Sequence, residues 1–192
     1  MSVAVGAIAL AGTVAAQKME VKTHQDPKAD FAAVRTYAWL PPAPPIKTVA
    51  PDAVTNPTLT QEALGPHIVE AVSRQLAERG LVESDRDTAD VHMAYFAALT
   101  VGFDQSYLGQ YYGYVTGWPS PIPPGLAPST SSTIYEKGTV LIDMIHRATN
   151  RGIWRGSAVT RVDQEKTLEQ RIKRINQAAE RMFERFPVRR KK

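Results

Sequence analysis

Two stretches of this chain repeat their apolar residues at helical spacing and five repeat them every second residue, and that mixture narrows the folds open to it. The first helical stretch is clearest from Pro66 to Arg79, with room for a further turn before it. Ile68, Val69, Val72 and Leu76 share one face, Pro66 suits the first turn, and Gly80 suits the C-terminal cap. The second runs from about Glu165 to Phe186 and ends at Pro187. Its stripe is Leu168, Ile172, Ile175, Ala179, Met182, Phe183 and Phe186. The alternating stretches are Lys18 to His24, Arg35 to Leu40, Ala89 to Thr100, Thr133 to Ile145 and Ile153 to Val162. In the third, Val91, Met93, Tyr95, Ala97 and Leu99 point one way, and His92, Ala94, Phe96 and Ala98 the other. Asn150-Arg151-Gly152 joins the last two as a hairpin. The order is β-β-α-β-β-β-α, and each helix has one apolar stripe to bury. A mostly antiparallel sheet of about five strands with two helices on one face satisfies every stripe, so an α+β two-layer sandwich is expected.

A chain of 192 residues is expected to form one domain, spanning 17–187, with a core large enough to need no covalent staples. Cysteine is absent, which excludes disulfides, thiolate zinc and a cysteine nucleophile. The net charge of +4 lies in Arg189, Arg190, Lys191 and Lys192; without this tail, 188–192, the 23 basic residues fall to 19, against 19 acidic ones. The body is neutral overall, whereas a nucleic-acid protein carries its basic patch on the fold, so nucleic acid is not an expected partner.

Val3 to Val14 is apolar and built of small residues, and Val14 and Ala16 fit the −3 and −1 positions of a signal-peptidase site. Residues 1–16 are therefore expected to be a signal peptide, cleaved before Gln17, although no Lys or Arg precedes Lys18. The run is too short to span a bilayer, so no transmembrane span is expected in the mature chain. In Leu10-Ala11-Gly12-Thr13, Thr13 stands where a lipoprotein signal has its lipidated cysteine. A periplasmic protein without a lipid anchor is the expectation.

A search for chemistry finds little. His24, His67, His92 and His146 form no ligand spacing. Glu83, Asp85, Asp87 and Asp90 fail the calcium-loop pattern, because Asp90 and Phe96 stand where glycine and glutamate are needed. Gly156-Ser157-Ala158 lacks the hydrolase elbow, and there is no phosphate loop or dinucleotide fingerprint. No catalytic residue, metal ligand or cofactor is assigned. Distant carboxylates can still meet in space, which leaves a hydrolase as one alternative. Trp39 and Trp154 are read as packing residues, and Arg155 as facing solvent or pairing with a carboxylate.

Gly102 to Ser132 is different in kind, rich in Gly, Tyr, Pro and Ser. Phe103, Tyr107, Tyr111, Tyr112, Tyr114 and Trp118 place six of the fifteen aromatics within sixteen residues, and from Met93 to Glu136 there is no Lys, Arg or His. Stacking readers of nucleic acid pair aromatics with cations, so this neutral surface suits a protein, peptide or glycan instead. These six residues are the candidate contact set, carried on an expected protruding loop or irregular hairpin that the core does not require.

Asp26-Pro27, Asp30-Phe31, Thr36-Tyr37-Ala38-Trp39-Leu40-Pro41, Ala89-Asp90-Val91, Gly138-Thr139-Val140-Leu141-Ile142-Asp143 and Ile153-Trp154-Arg155-Gly156 together resemble the blocks of the bacterial "domain of unknown function 4136" family, in the same order. The similarity covers about Val21 to Pro187. It implies an envelope protein of lipoprotein type with a helix-and-sheet domain, and it brings no activity and no catalytic residues. Thr13 departs from the lipoprotein pattern. The reading that follows is a non-enzymatic envelope protein that binds or scaffolds other envelope components, with a glycan or small-ligand module as the other alternative.

Overall fold

The computed structural model describes residues 19–43, 61–99, 107–118, 137–161 and 166–187. The expectations for residues 1–16, Phe103, residues 119–132 and the tail 188–192 lie outside the described residues. The elements are β1 (Glu20–Gln25), β2 (Thr36–Trp39), α1 (Gln61–Ala77), β3 (Val82–Glu83), β4 (Val91–Leu99), α2 (Tyr107–Tyr112), β5 (Val115–Thr116), β6 (Lys137–His146), β7 (Arg151–Arg161) and α3 (Leu168–Phe183).

The mixture of helices and strands is as expected, but the sheet is larger. It has seven strands in the order β1-β7-β6-β4-β2-β3, with β5 also pairing β7. The expected meander is present, as β4, β6 and β7 pair antiparallel in sequence, and β1 adds antiparallel to β7. Three pairings are parallel: β2 with β3, β2 with β4, and β5 with β7. The two-residue strands β3 and β5 are too short to show a period, and a parallel β2–β4 pair follows from the α1 crossover between them.

Alternation sorts the long strands between two cores. Val91, Met93, Tyr95, Ile142, Met144, Trp154 and Ala158 face α1 and α3. Ala94, Phe96, Leu141 and Ile145 face the other way and pack with Ala43, Leu108 and Tyr114. A bulge interrupts the β6–β7 register after Met144, so Met144 pairs Trp154 while Ile145 pairs Gly152. That one extra residue puts both Ile153 and Trp154 into the helix-side core.

α1 begins at Gln61, a turn before the clearest part of its pattern, with Pro66 inside it. Gly65 precedes that proline and has no Cβ to crowd the ring, and a Cβ there would come 2.3 Å from the Tyr95 hydroxyl. Gly80, at φ 80°, ends the helix as expected. α3 opens on a capping box in which Thr167 and Gln170 exchange side-chain and backbone hydrogen bonds. Arg79 ties the two helices, donating to the Phe183 carbonyl at 2.6 Å with its guanidinium 5.2 Å from the Phe183 ring. No helix among the described residues is long and apolar enough to cross a membrane.

On α3, Ile175 is buried and Ile172 only half-buried. Ile175→Ala should therefore cost about 2–5 kcal/mol, and Ile172→Ala distinctly less. Urea unfolding of both variants checks this; equal losses would mean that the helix is rotated from the position described.

Candidate functional site

The face of the sheet away from α1 and α3 is where the aromatic segment lies. α2 and β5 belong to that segment, and over residues 107–118 they correct the expectation of a protruding loop that the core does not require. Leu108 is fully buried and Tyr114 is 4% exposed, both packed on Phe96 and Leu141. Apolar side chains on the second face of β4 and β6 need a cover, and this segment supplies it.

Under that cover lies an ion pair. Asp143 and Arg155 are register partners on β6 and β7, 0% and 2% exposed. Arg155 donates from Nε to Oδ1 at 2.6 Å and from Nη2 to Oδ2 at 2.7 Å, a two-pronged arrangement. The Tyr114 hydroxyl also donates to Oδ2 of Asp143. Burial and the Asp143 charge push the Tyr114 hydroxyl far above its ordinary pKa, so it stays a donor. Burial works against the Arg155 charge, but the hydrogen bonds and charge of Asp143 outweigh it and hold the guanidinium protonated. With three donors on one carboxylate, this group fastens the aromatic segment to the sheet.

The rest of the segment is held by close backbone contacts. Gly113 takes φ 71°, and its carbonyl accepts from Asn150 Nδ2 at 2.8 Å. The Gly117 N–H donates to the Gly152 carbonyl at 3.0 Å, and a Cβ on Gly117 would lie 2.2 Å from Asp26 Oδ2. Asp26 itself is 3% exposed and paired with Arg151 at 2.5 Å. The Lys28 backbone N–H and then the Arg151 guanidinium hold its carboxyl below the usual range.

The candidate aromatics divide by position. Tyr114 is interior. Trp118 is half-buried, 5.7 Å from the Arg155 guanidinium carbon, with the His24 imidazole stacked on it at 6.1 Å. Tyr112 is half-buried, packed edge-on to Tyr111 at 4.8 Å, and its hydroxyl donates to the Pro41 carbonyl at 2.5 Å. Tyr111 is 49% exposed, and Val115, four residues on, 66%. Tyr107 contributes backbone to α2. The structure thus brings Tyr111, Tyr112, Tyr114 and Trp118 together on one segment, with Tyr111 turned outward.

Burial lowers the His24 pKa from 6.5, and the charges of Arg155 and Lys22 push the same way. The unfolded chain then binds a proton here more readily than the native one. The resulting stabilisation is complete above about pH 6.5 and is lost as pH falls toward the native value. The thermal midpoint should drop as pH falls below about 6.5. In His24→Gln that part of the drop should disappear; an unchanged profile would show that the imidazole titrates freely.

Of the two readings of Arg155, the structure bears out a carboxylate partner over solvent. That the partner is Asp143, and that the pair is buried, was not read from the sequence, although a signal was there. Period-two alternation puts Asp143 on the same face as Leu141 and Ile145, and a charge among apolar neighbours needs a partner. The acidic turn residue Asp90 proves structural, as its carboxylate accepts from the backbone N–H groups of Arg35 and Thr36. The other histidines are dispersed: His92 bonds the Arg86 carbonyl and His146 the Thr149 hydroxyl. Among the described residues no three His, Asp or Glu side chains gather as a metal ion would require.

No curated protein matches the chain. Among solved structures, a PDZ domain protein from Parabacteroides distasonis shares the fold at 16% identity and a TM-score of 0.51. The similarity covers 91% of this chain but 37% of that one, so this chain spans little more than a third of that protein. The PelC dodecamer from Paraburkholderia phytofirmans is also similar, at 10% identity and a TM-score of 0.42, over 84% of this chain and 95% of that one. The family described as "Domain of unknown function (DUF4136)" matches residues 21–188, and the chain belongs to it.

Proposed function

We propose that this protein is an exported, non-enzymatic component of the cell envelope that binds another envelope protein through the outer side of its aromatic segment. The observation that carries the reading is the contrast within that segment. Tyr114 is locked to Asp143, while Tyr111 stands 49% exposed on the same short stretch. A tyrosine held on a rigid base offers a large contact area at little entropic cost on binding. The stretch is also free of cations, as no Lys, Arg or His occurs from Met93 to Glu136. A protein surface fits better than a glycan, because glycans stack on open ring faces and the Trp118 ring already has Arg155 and His24 against it.

A photo-crosslinking amino acid at position 111, introduced in living cells, should give a discrete adduct with an envelope protein. The same group at exposed Glu70 on α1 should not. Tyr111→Ala should lose the partner yet stay within about 0.5 kcal/mol of the wild type in stability. Adducts alike at both positions would sink the reading. Export is tested on the same cells, where the mass of the mature chain should begin at Gln17.

A further inference from the structure

A second surface lies at the β1 edge of the sheet, on the side of α3. The aromatic segment reaches the end of that strand, with Trp118 on His24 and Gly117 beside Asp26, and Tyr111 takes no part in it. β1 ends the strand order there, and β7 is its sheet neighbour among the described residues. The direction of its backbone groups follows from the register. Asp26 N–H donates to the Ile153 carbonyl at 2.8 Å and continues the β1–β7 pairing by one residue. In an antiparallel pair every second residue exchanges both its bonds with the partner. His24, Lys22 and Glu20 therefore bond inward to β7, and the N–H and C=O groups of Val21, Thr23 and Gln25 point out from the sheet. Such an edge is a template for one more strand.

The side chains beside that edge are selective. Met19, Val21 and Thr23 form one wall of an open groove of about 430 Å³, and Arg181 in the last turn of α3, with Glu184 and Arg185 just beyond it, forms the other. Arg181 and Arg185 are both exposed, and neither forms an ion pair among the described residues. Two guanidinium groups against one carboxylate leave the groove positive. On the opposite side of the strand, Lys22 is paired with Glu20 at 2.8 Å.

We propose that β1 and the end of α3 form a docking groove for an extended acidic segment of a protein partner, which adds to the sheet as an eighth strand. Its backbone pairs with Val21, Thr23 and Gln25, and its alternate carboxylates reach Arg181 and Arg185. A second copy of this chain fits less well, because edge-to-edge pairing would bring another Arg181 and Arg185 toward the first two. Nothing in this surface depends on Tyr111, so the two sites stand or fall separately.

The test uses the purified chain and a capped seven-residue peptide alternating valine and glutamate, with a valine–lysine peptide as control. Amide resonances of Val21, Thr23 and Gln25 should shift and become protected from exchange with the glutamate peptide. Its affinity should exceed that of the lysine peptide by about tenfold or more. Arg181→Glu with Arg185→Glu should invert that preference, a readout that simple loss of folding does not produce. Thr23→Pro should abolish binding without lowering the thermal midpoint, since an edge proline removes an outward donor and no ladder bond. Equal binding of both peptides, binding of neither, or a concentration-dependent dimer protected at the same amides would overturn the proposal.

Discussion

Arg155→Ala should destabilise the protein by about 3–5 kcal/mol, because it leaves the Asp143 carboxylate buried without its counter-charge. Asp143 is 0% exposed, so water cannot replace the guanidinium. The effect belongs to the broken pair, not to the loss of an attraction in itself. Replacing the whole group by apolar residues of similar size, as Asp143→Leu, Arg155→Met and Tyr114→Phe together, should be close to neutral. Tyr114→Phe alone should cost about 1–3 kcal/mol, since it strips one donor from the carboxylate. Urea denaturation of these three variants separates the terms. A loss below about 1 kcal/mol for Arg155→Ala would mean that Asp143 reaches solvent, against its burial.

Replacing residues 107–118 by a short Gly-Ser linker should have a still larger effect and remove the cooperative unfolding transition. The segment contributes Leu108 and Tyr114 to the second core and covers Phe96, Leu141 and Ile145. Losing it uncovers one face of β4 and β6 and strips Tyr114 from Asp143 at the same time. Losses of that kind sum to the order of a domain's whole stability, about 5–15 kcal/mol. The expected product keeps its far-ultraviolet signal, binds a hydrophobic dye and melts without a sharp midpoint. A cooperative transition at the wild-type midpoint would show that the segment is an appendage after all. Tyr111→Ala, by contrast, should leave the transition in place, which separates the outward ring from the inward ones.

The elements with a long repeat could be read from the chain alone. Nine residues of β4 and sixteen of α3 carry enough alternations or turns to show which face is buried. The glycine stop at Gly80 and the hairpin between β6 and β7 were legible for the same reason, because their signal is local, although Arg151 and Gly152, read as turn residues, already belong to β7. Family membership was legible as well, since short blocks in a fixed order need no coordinates.

Only the tertiary structure could settle what depends on two distant segments meeting. β3 and β5 have two residues each and exist as strands because a neighbour pairs with them. The turning of Ile153 into the same core as Trp154 depends on a bulge defined against β6. The aromatic segment shows the division most clearly. Its composition marked it as unusual, but Tyr111 and Tyr114 stand three residues apart and look alike in a sequence. One is half exposed and the other sealed over Asp143, and that difference arises from which side of a short covered turn meets the sheet. Local propensity and periodicity are written along the chain, whereas the burial of a polar or aromatic group is decided by the surface brought against it.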